Sequence, residues 1–490
     1  MPAAGLHNWP QAIFIPEPVS WQIVKFFGSS YYCKTNLMKL RLTAYWRLHS
    51  IPILLAGTCI AFYYIFAGLL ERSDSVQLLA LYAALFFLCF KLIQFEKWNF
   101  RFLLICGLLF RLAFLCSWPN LSQDFYRFIW DGRLLLAGIN PYRYTPDELI
   151  TMAHPVLSQL NGLYEGMGAL SAGHYSNYPP LHQLLFAMAV FLGGKGITGP
   201  LLVFRCINLL ADLGILIIGR KLLIKLNLSP HLIFWYFLNP LVIIELSGNV
   251  HFEGVMCFFF IWALYLTFFS RWYWAAIVYA LSVVTKLVPL IFLPLFFSYY
   301  GFGKSMRFYA LTLLASLAFI LPFLAPGAID HYGETLGLWF SNFEFNAGIY
   351  NLIKEAGRLF HIRPWELIKN YGKVFPVFTL GILIVFTLFR RNQRPKVFLG
   401  SMMWVLAMYY LLSPTVHPWY ILPLVLLCAF TEFRFPLFWS AVIMLSYTAY
   451  AQPETSEILS LLAVEYIVVI GMMLYEIYRQ REDFFSIRKN

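Results

Sequence analysis

The sequence predicts an all-α, polytopic membrane protein with about 12 to 15 transmembrane helices. First, 60% of its 490 residues are hydrophobic and only 12% are charged, whereas soluble domains carry roughly 25% charged residues. Second, apolar runs recur from about residue 51 to about residue 476, and a helix needs about 20 apolar residues to cross a bilayer. Third, the runs are continuous, unlike the short alternating strands of a membrane barrel.

The apolar runs give fifteen candidate spans along the chain. One of them, PPLHQLLFAMAVFLGG at 179–194, is short, and it suits the topology only as a re-entrant or steeply tilted helix. The candidates are 50–70, 75–95, 99–118, 179–193, 200–220, 231–247, 251–269, 272–285, 287–300, 307–325, 374–390, 397–412, 418–431, 435–450 and 457–477.

Basic clusters orient these spans, because short cytoplasmic loops are enriched in lysine and arginine. They occur at 39–47, 97–101, 220–225, 304–307, 390–396 and 479–489. The net charge of +12 lies largely in these loops, so it does not indicate a nucleic-acid partner. The remaining loops, including the long ones at 118–178 and 326–373, are then expected on the outer face of the membrane.

The chain divides into an N-terminal cytoplasmic extension at 1–48, a membrane domain at 49–478 and a cytoplasmic tail at 479–490. Met38 begins a typical cytoplasmic lead-in and is an alternative start. The eight cysteines lie mostly within apolar runs and form no CxxC pair, so the sequence predicts neither a disulfide framework nor a zinc site. We expect no metal and no cofactor.

Polar residues that interrupt the apolar runs fall almost entirely on the predicted outer side. A charge at the centre of a membrane helix costs about 2.5–3.5 kcal/mol on insertion scales and usually marks function. Their common side predicts one outward-facing polar cavity, whereas a transporter would place them near the midplane between repeats. The residues are Asp124, Asp131, Glu245, Asn249, His251, Glu253, Lys286, Asn346 and His417.

The stretch SQDFYRFIWDG predicts a helix over 122–137. Asp124, Arg127 and Asp131 would share one face of it with Phe128, and Phe125, Ile129 and Leu136 would form another face that lies in the membrane interface. Alternatively, Arg127 and Asp131 are a surface ion pair worth a few tenths of a kcal/mol. Asp124 is not needed for that pair. Downstream, Thr145 and Glu148 predict a capping box.

Each remaining polar residue has a structural and a functional interpretation. Lys286 either extends to the outer interface or contacts substrate. Asn249 and Glu253 either begin a helix or line the site with His251. Glu245 is expected to face the cavity, because burying it unpaired is costly.

Two further outer segments are open to both interpretations. Asn346 either packs its loop or binds a sugar together with Tyr350. His417 precedes Trp419 and Tyr420, which are expected at a membrane interface whatever the function, and it can hydrogen-bond a phosphate.

An ordered set of motifs resembles bacterial membrane mannosyltransferases of the GT-C fold, which use a polyprenyl-phosphate sugar as donor. The resemblance covers most of 99–420. It implies that Asp124 is the catalytic base and that Tyr178 contacts substrate. This family often has two adjacent acidic residues where this chain has Gln123 and Asp124. The motifs are SQDFYRFIWDGRLLLAGINPYRYTPDEL, NYPPL, FLNPLVIIELSGNVHFEG, TKLVPLIFLP, FNAGIY and SPTVHPWY.

Chemistry agrees with a single carboxylate base. A positioned base contributes about 10²–10⁴ in rate, and a lipid phosphate leaves as a stable anion that needs positive charge more than a proton. Lys286 is the first candidate for that charge, followed by Arg127, Arg133 and His417. The resemblance together with this chemistry implies an inverting transfer of a hexose, mannose first, from polyprenyl phosphate to an outer-face glycan or lipid of a bacterial cytoplasmic membrane. The alternative is a transporter or flippase of lipid-linked sugars.

Overall fold

The computed structural model describes residues 45–152 and 160–481 of the chain. The predicted extension at 1–48 and tail at 479–490 therefore lie mostly outside the described residues, as does Met38. Contacts divide the chain into one unit ending at Leu54 and a second unit beginning at Leu55. Apart from the first residues of the helix that begins at Ser50, all the features below belong to the second unit. Its described residues contain no β-strand, and one isolated bridge joins Phe345 to Thr415.

The first half of the membrane domain is a series of helices of very different lengths. Three of them exceed 18 residues, and the others have 14 residues or fewer. In chain order they are α1 (Ser50–Gly68), α2 (Ser75–Phe95), α3 (Phe100–Leu112), α4 (Asp124–Leu136), α5 (Pro146–Thr151), α6 (Asn161–Ala172), α7 (Pro180–Gly193), α8 (Thr198–Lys225), α9 (Phe234–Phe237) and α10 (Pro240–Ile243).

The second half continues in the same way, with short 3-10 segments between several helices. The helices are α11 (Glu253–Phe268), α12 (Trp272–Thr285), α13 (Leu293–Tyr300), α14 (Phe302–Ile320), α15 (Ala328–Ser341), α16 (Ile349–Leu359), α17 (Pro364–Phe389), α18 (Pro395–Leu412), α19 (Leu422–Cys428), α20 (Phe435–Val442) and α21 (Leu459–Arg479).

Seven described helices are long and apolar enough to cross a membrane, and an eighth span results if a bent pair is counted as one. Six more apolar segments have 10–17 residues, too few for a typical crossing without help from neighbours. The all-α polytopic prediction is confirmed. The predicted span at 99–118 is shorter than expected, because its helix α3 ends at Leu112.

The bent pair positions the polar residues near 245–251. Pro230–Phe237 and Pro240–Gly248 meet at 57°, and Pro240 cannot donate a backbone hydrogen bond to continue the first helix. The second part ends in a π-helical turn, Ile244–Gly248, a geometry that is frequent at functional sites. Val250 then has φ +57°, a costly conformation for a β-branched residue. The chain is thereby turned sharply just before His251.

Helix α4 is enclosed by protein on most sides. Gly132 is required where α4 crosses α7, because a Cβ atom there would lie 2.6 Å from the carbonyl oxygen of Phe186. The expectation that Phe125 and Ile129 lie in the membrane interface is wrong, since both are buried in an aromatic core. Only Leu136 of that face is exposed. The capping box of Thr145 and Glu148 is confirmed.

Candidate active site

A polar cavity of about 810 Å³ opens beside the N-terminus of α4. This volume suits a small-molecule ligand, for which pockets span roughly 300–1,000 Å³. Five of the predicted site residues line it: Asp124, Arg127, Tyr178, Lys286 and His417. Residues that are far apart in the sequence are thus brought to one place.

Asp124 faces this cavity from the first turn of α4. Its side chain keeps 37% of its exposure, and its Oδ2 lies 3.5 Å from Nε2 of His251. The helix N-terminus favours a negative charge at this position. The neighbouring Gln123 donates from Nε2 to the carbonyl of Met167, 3.1 Å away. The residue before Asp124 therefore anchors α6 instead of adding a second carboxylate.

His251 connects Asp124 to a second, fully buried carboxylate. Its Nδ1 lies 2.9 Å from Oε2 of Glu245, and its backbone N–H donates to the Glu245 carbonyl at 3.0 Å. Glu245 also accepts from Asn249 Nδ2 at 2.9 Å and from the Tyr447 hydroxyl at 3.0 Å. The imidazole is thus oriented by Glu245 through Nδ1, and this orientation places Nε2 within ion-pair distance of Asp124.

The ionisation states of Asp124 and His251 follow from their contacts. Burial opposes charging of Asp124, but His251, and more weakly His417 and Lys286, outweigh it and lower the pKa of the carboxyl. Burial likewise opposes charging of His251, yet Asp124 and Glu245 raise its pKa to about 9. At neutral pH a protonated imidazole therefore lies between two carboxylates.

Lys286 lies at the C-terminal end of α12 and forms an ion pair with Glu253, the first residue of α11. Glu253 is buried, whereas 20% of the Lys286 side chain remains exposed to the cavity. The lysine is thus available to a ligand, although its charge is already balanced by one carboxylate. Asn249, His251 and Glu253 were expected to act together, but their contacts differ. Asn249 and His251 contact Glu245, whereas Glu253 pairs with Lys286.

His417 is held in an aromatic stack at the cavity wall. Its ring is parallel to Trp419 at 4.4 Å and to Phe345 at 4.9 Å. Phe345 is fixed by the bridge to Thr415. Burial lowers the pKa of His417 to about 3, so the ring is neutral. Its Nδ1 is enclosed and has no hydrogen-bond partner among the described residues, while the residue itself lines the cavity.

Arg127 and Asp131 form a buried pair whose contacts are internal to the protein. Arg127 Nε lies 2.8 Å from Oδ1 of Asp131, and its Nη1 donates to the carbonyls of Ser171 and His174 at 2.6 and 3.0 Å. Asp131 is fully buried and accepts from Ser176 at 2.6 Å and Gln183 at 3.0 Å. These contacts favour the ion-pair interpretation, but the pair is buried and not on the surface as that interpretation had it. They also tie α4 to the segment that follows α6.

The other predicted residues lie at the edge of the site or outside it. Arg133 donates to the carbonyl of Gly196 at 3.3 Å, away from the cavity lining. Asn346 is fully buried and donates to Glu465 at 3.0 Å, which fastens the segment that carries Asn346 to α21. The ring of Tyr178 packs edge-on against Phe128 at 5.1 Å while the residue still lines the cavity.

Sequence reasoning missed several residues that line the same cavity. Arg72 comes from the α1–α2 turn and Tyr450 from the 3-10 segment after α20, while Glu344 and Lys354 form an ion pair at 2.9 Å. The only available signal for Arg72 was a lone arginine in a turn predicted on the outer face. Among the residues that the structure describes, no group of three His, Cys, Asp or Glu side chains has the geometry to hold a metal ion.

Two comparisons with known proteins bear on this site. The family model described as "Alpha-(1->6)-mannopyranosyltransferase, N-terminal domain" matches residues 69–300. Alpha-(1->6)-mannopyranosyltransferase A of Mycobacterium tuberculosis is 24% identical over an alignment of 330 residues that covers 62% of this chain and 60% of that protein. Both matches confirm the resemblance to bacterial membrane mannosyltransferases, and the first includes Asp124, Glu245, His251 and Lys286.

Proposed function

We propose that this protein is an inverting glycosyltransferase that moves a hexose, most simply mannose, from a polyprenyl-phosphate donor to a glycan or lipid acceptor at the outer membrane face. The observation that carries the proposal is the chain Asp124–His251–Glu245 at the wall of a cavity that also holds Lys286 and His417. The similarity to mannosyltransferases supports the choice of sugar.

Asp124 is the base in this proposal. The acceptor hydroxyl gives its proton to the Asp124 carboxylate while the oxygen attacks the anomeric carbon. The protonated His251 keeps the carboxylate charged and oriented, and Glu245 fixes the imidazole. Such an arrangement resembles the carboxylate that orients a catalytic histidine in hydrolases, with the roles of the two groups exchanged.

The leaving group is the lipid phosphate, which departs with the electron pair of the anomeric C–O bond. Its developing charge is stabilised by cations and N–H donors already in place. Lys286 and the neutral His417 line the cavity and supply such groups. No general acid is required, because the phosphate anion is stable unprotonated.

The transfer test compares purified wild-type protein with Asp124→Asn. Short-chain polyprenyl-phosphate mannose and a panel of glycan acceptors are supplied, with and without a chelator. The proposal predicts product from the wild type, loss of about 10²–10⁴ in rate in the variant, and indifference to the chelator.

Two results would count against the proposal. If Asp124→Asn transferred sugar at the wild-type rate, Asp124 would not be the base. Movement of the intact lipid-linked sugar across vesicles, with no transfer to any acceptor, would instead establish the flippase alternative. Arg358→Gln is the matched control, because Arg358 lines the same cavity but is half-exposed and pairs with Glu355 at 2.8 Å.

A further inference from the structure

The cations that line the cavity differ in how far their charge is already balanced. Lys286 pairs with Glu253, Lys354 with Glu344 and Arg358 with Glu355, while Arg127 pairs with Asp131. Arg72 has no carboxylate within ion-pair distance among the described residues. Its Nε is enclosed and has no hydrogen-bond partner there either.

Arg72 is nevertheless held firmly in place. Its guanidinium carbon lies 3.2 Å from the centre of the Tyr450 ring, a cation–π arrangement that fixes the planar group and leaves its edge for hydrogen bonds. The turn that carries it is short, because Asp74 begins α2 by accepting from the Gln77 N–H at 2.9 Å. Arg72 is thus an oriented, unneutralised guanidinium at the wall of a polar cavity.

Continuous contacts connect Arg72 to the proposed base. Tyr450 lies 5.6 Å from Tyr447 between ring centres, and the Tyr447 hydroxyl donates to Glu245 at 3.0 Å. On its other side, Tyr450 lies 5.9 Å from Phe345, which stacks on His417. Arg72 therefore belongs to the same site as Asp124 and not to a separate surface patch.

We infer that Arg72 is the main phosphate-binding residue of this site, with its guanidinium edge holding the phosphodiester of the lipid donor and then the phosphate monoester that leaves. Guanidinium groups match phosphate oxygens in a two-pronged geometry that an ammonium group lacks. Lys286 was the first candidate for this role from the sequence, but its charge is already paired with Glu253. The inference rests on the proposed function for the identity of the donor, but phosphate binding itself is measurable without any transfer.

The experiment measures binding of a short-chain polyprenyl phosphate that carries no sugar, by its effect on thermal unfolding and by its competition with the donor. The parent alcohol and inorganic phosphate are the two comparison ligands, because they separate the tail from the anion. Wild type should bind the lipid phosphate most tightly. Arg72→Gln should lose about ten- to a hundredfold in affinity, as expected for losing charged hydrogen bonds, and Arg72→Lys should fall between them.

Controls separate a binding role from a structural one. Arg358→Gln should bind like the wild type. If Arg72→Gln loses no more affinity for the lipid phosphate than for the parent alcohol, or if the wild type does not distinguish these two ligands, the inference is overturned. A wild type that binds the lipid phosphate through Arg72 but transfers no sugar would uphold the inference and contradict the proposed function.

Discussion

Two aspartates on helix α4 have opposite environments although they are only seven residues apart. Asp124 keeps 37% of its side-chain exposure and faces the cavity with a single histidine beside it. Asp131 is fully buried, and three side chains, Arg127, Ser176 and Gln183, donate to its two oxygens. The first carboxylate has an oxygen available for a substrate, whereas the second holds the fold together. The same residue type on the same helical face can therefore serve catalysis or stability.

The largest expected difference concerns transfer rate. Asp124→Asn should lower kcat/KM by about 10²–10⁴, because the amide cannot accept the acceptor's proton. Its thermal unfolding should stay close to that of the wild type, since the side chain is partly exposed and makes one side-chain contact. If Asp124→Asn lost both transfer rate and stability, the distinction between a catalytic and a structural aspartate would be contradicted.

Asp131 should show the reverse pattern. Asp131→Ala leaves Arg127 buried without its partner, and breaking such a pair costs about 3–5 kcal/mol of stability. Chemical or thermal unfolding in detergent would measure this loss. The fraction that remains folded should transfer sugar at near the wild-type rate. Normal stability with lost activity would instead place Asp131 in the catalytic machinery.

A smaller effect is expected when the base keeps its carboxylate but loses its orientation. His251→Gln should reduce kcat about tenfold to a hundredfold, the scale associated with a misplaced catalytic group. Since the protonated imidazole lowers the pKa of Asp124, removing it should move the acid limb of the pH–rate profile to higher pH. A rate loss with an unmoved acid limb would reduce His251 to a packing residue.

The dependence of wild-type transfer activity on pH should reflect the ionisation of His251 and Asp124. The pKa of His251 is raised to about 9, so its proton is kept through neutral pH and lost as the pH rises through that value. The pKa of Asp124 is lowered, so its base form is lost only when the pH falls below the usual range for aspartate. Activity should therefore form a broad plateau with a decline near pH 9, and this alkaline decline should be absent in His251→Gln.

The smallest effect should come from Tyr447, whose hydroxyl donates to Glu245 and lies furthest from Asp124 in this series of contacts. Tyr447→Phe removes one hydrogen bond to Glu245 and should cost about 0.5–1.5 kcal/mol of stability. The rate should fall less than in His251→Gln, because Asn249 and His251 still hold Glu245. A larger loss than in His251→Gln would mean that Tyr447 contacts substrate directly.

The sequence allowed part of this arrangement to be predicted. Charges in apolar runs predicted one polar cavity, and Asp124, Lys286 and His417 of the nine residues expected there line it. Glu245 was expected to face the cavity but is fully buried and does not line it.

The sequence left Asp131 open between an ion pair with Arg127 and a place in the site, because the deciding contacts come from Ser176 and Gln183, which reach Asp131 from other segments. A spacing of seven residues gives Asp124 and Asp131 the same helical face.

Pairings between distant segments account for the other misses. The pairing of Lys286 with Glu253 depends on how α11 packs against α12, and hydropathy does not report it. Arg72 reaches the cavity through Tyr450, which is 378 residues further along the chain. Asn346 appeared open to a sugar but is used by Glu465 on α21. Such contacts depend on tertiary packing, which local sequence patterns do not specify.

The central claim is that the Asp124 carboxylate itself takes the acceptor's proton, and chemical rescue tests it most directly. Asp124→Ala leaves space beside His251 for a small carboxylate such as formate. The account predicts a very slow variant whose transfer rate rises with formate concentration, while the wild type and Asp131→Ala do not respond. Near-wild-type transfer by Asp124→Ala without formate would contradict it.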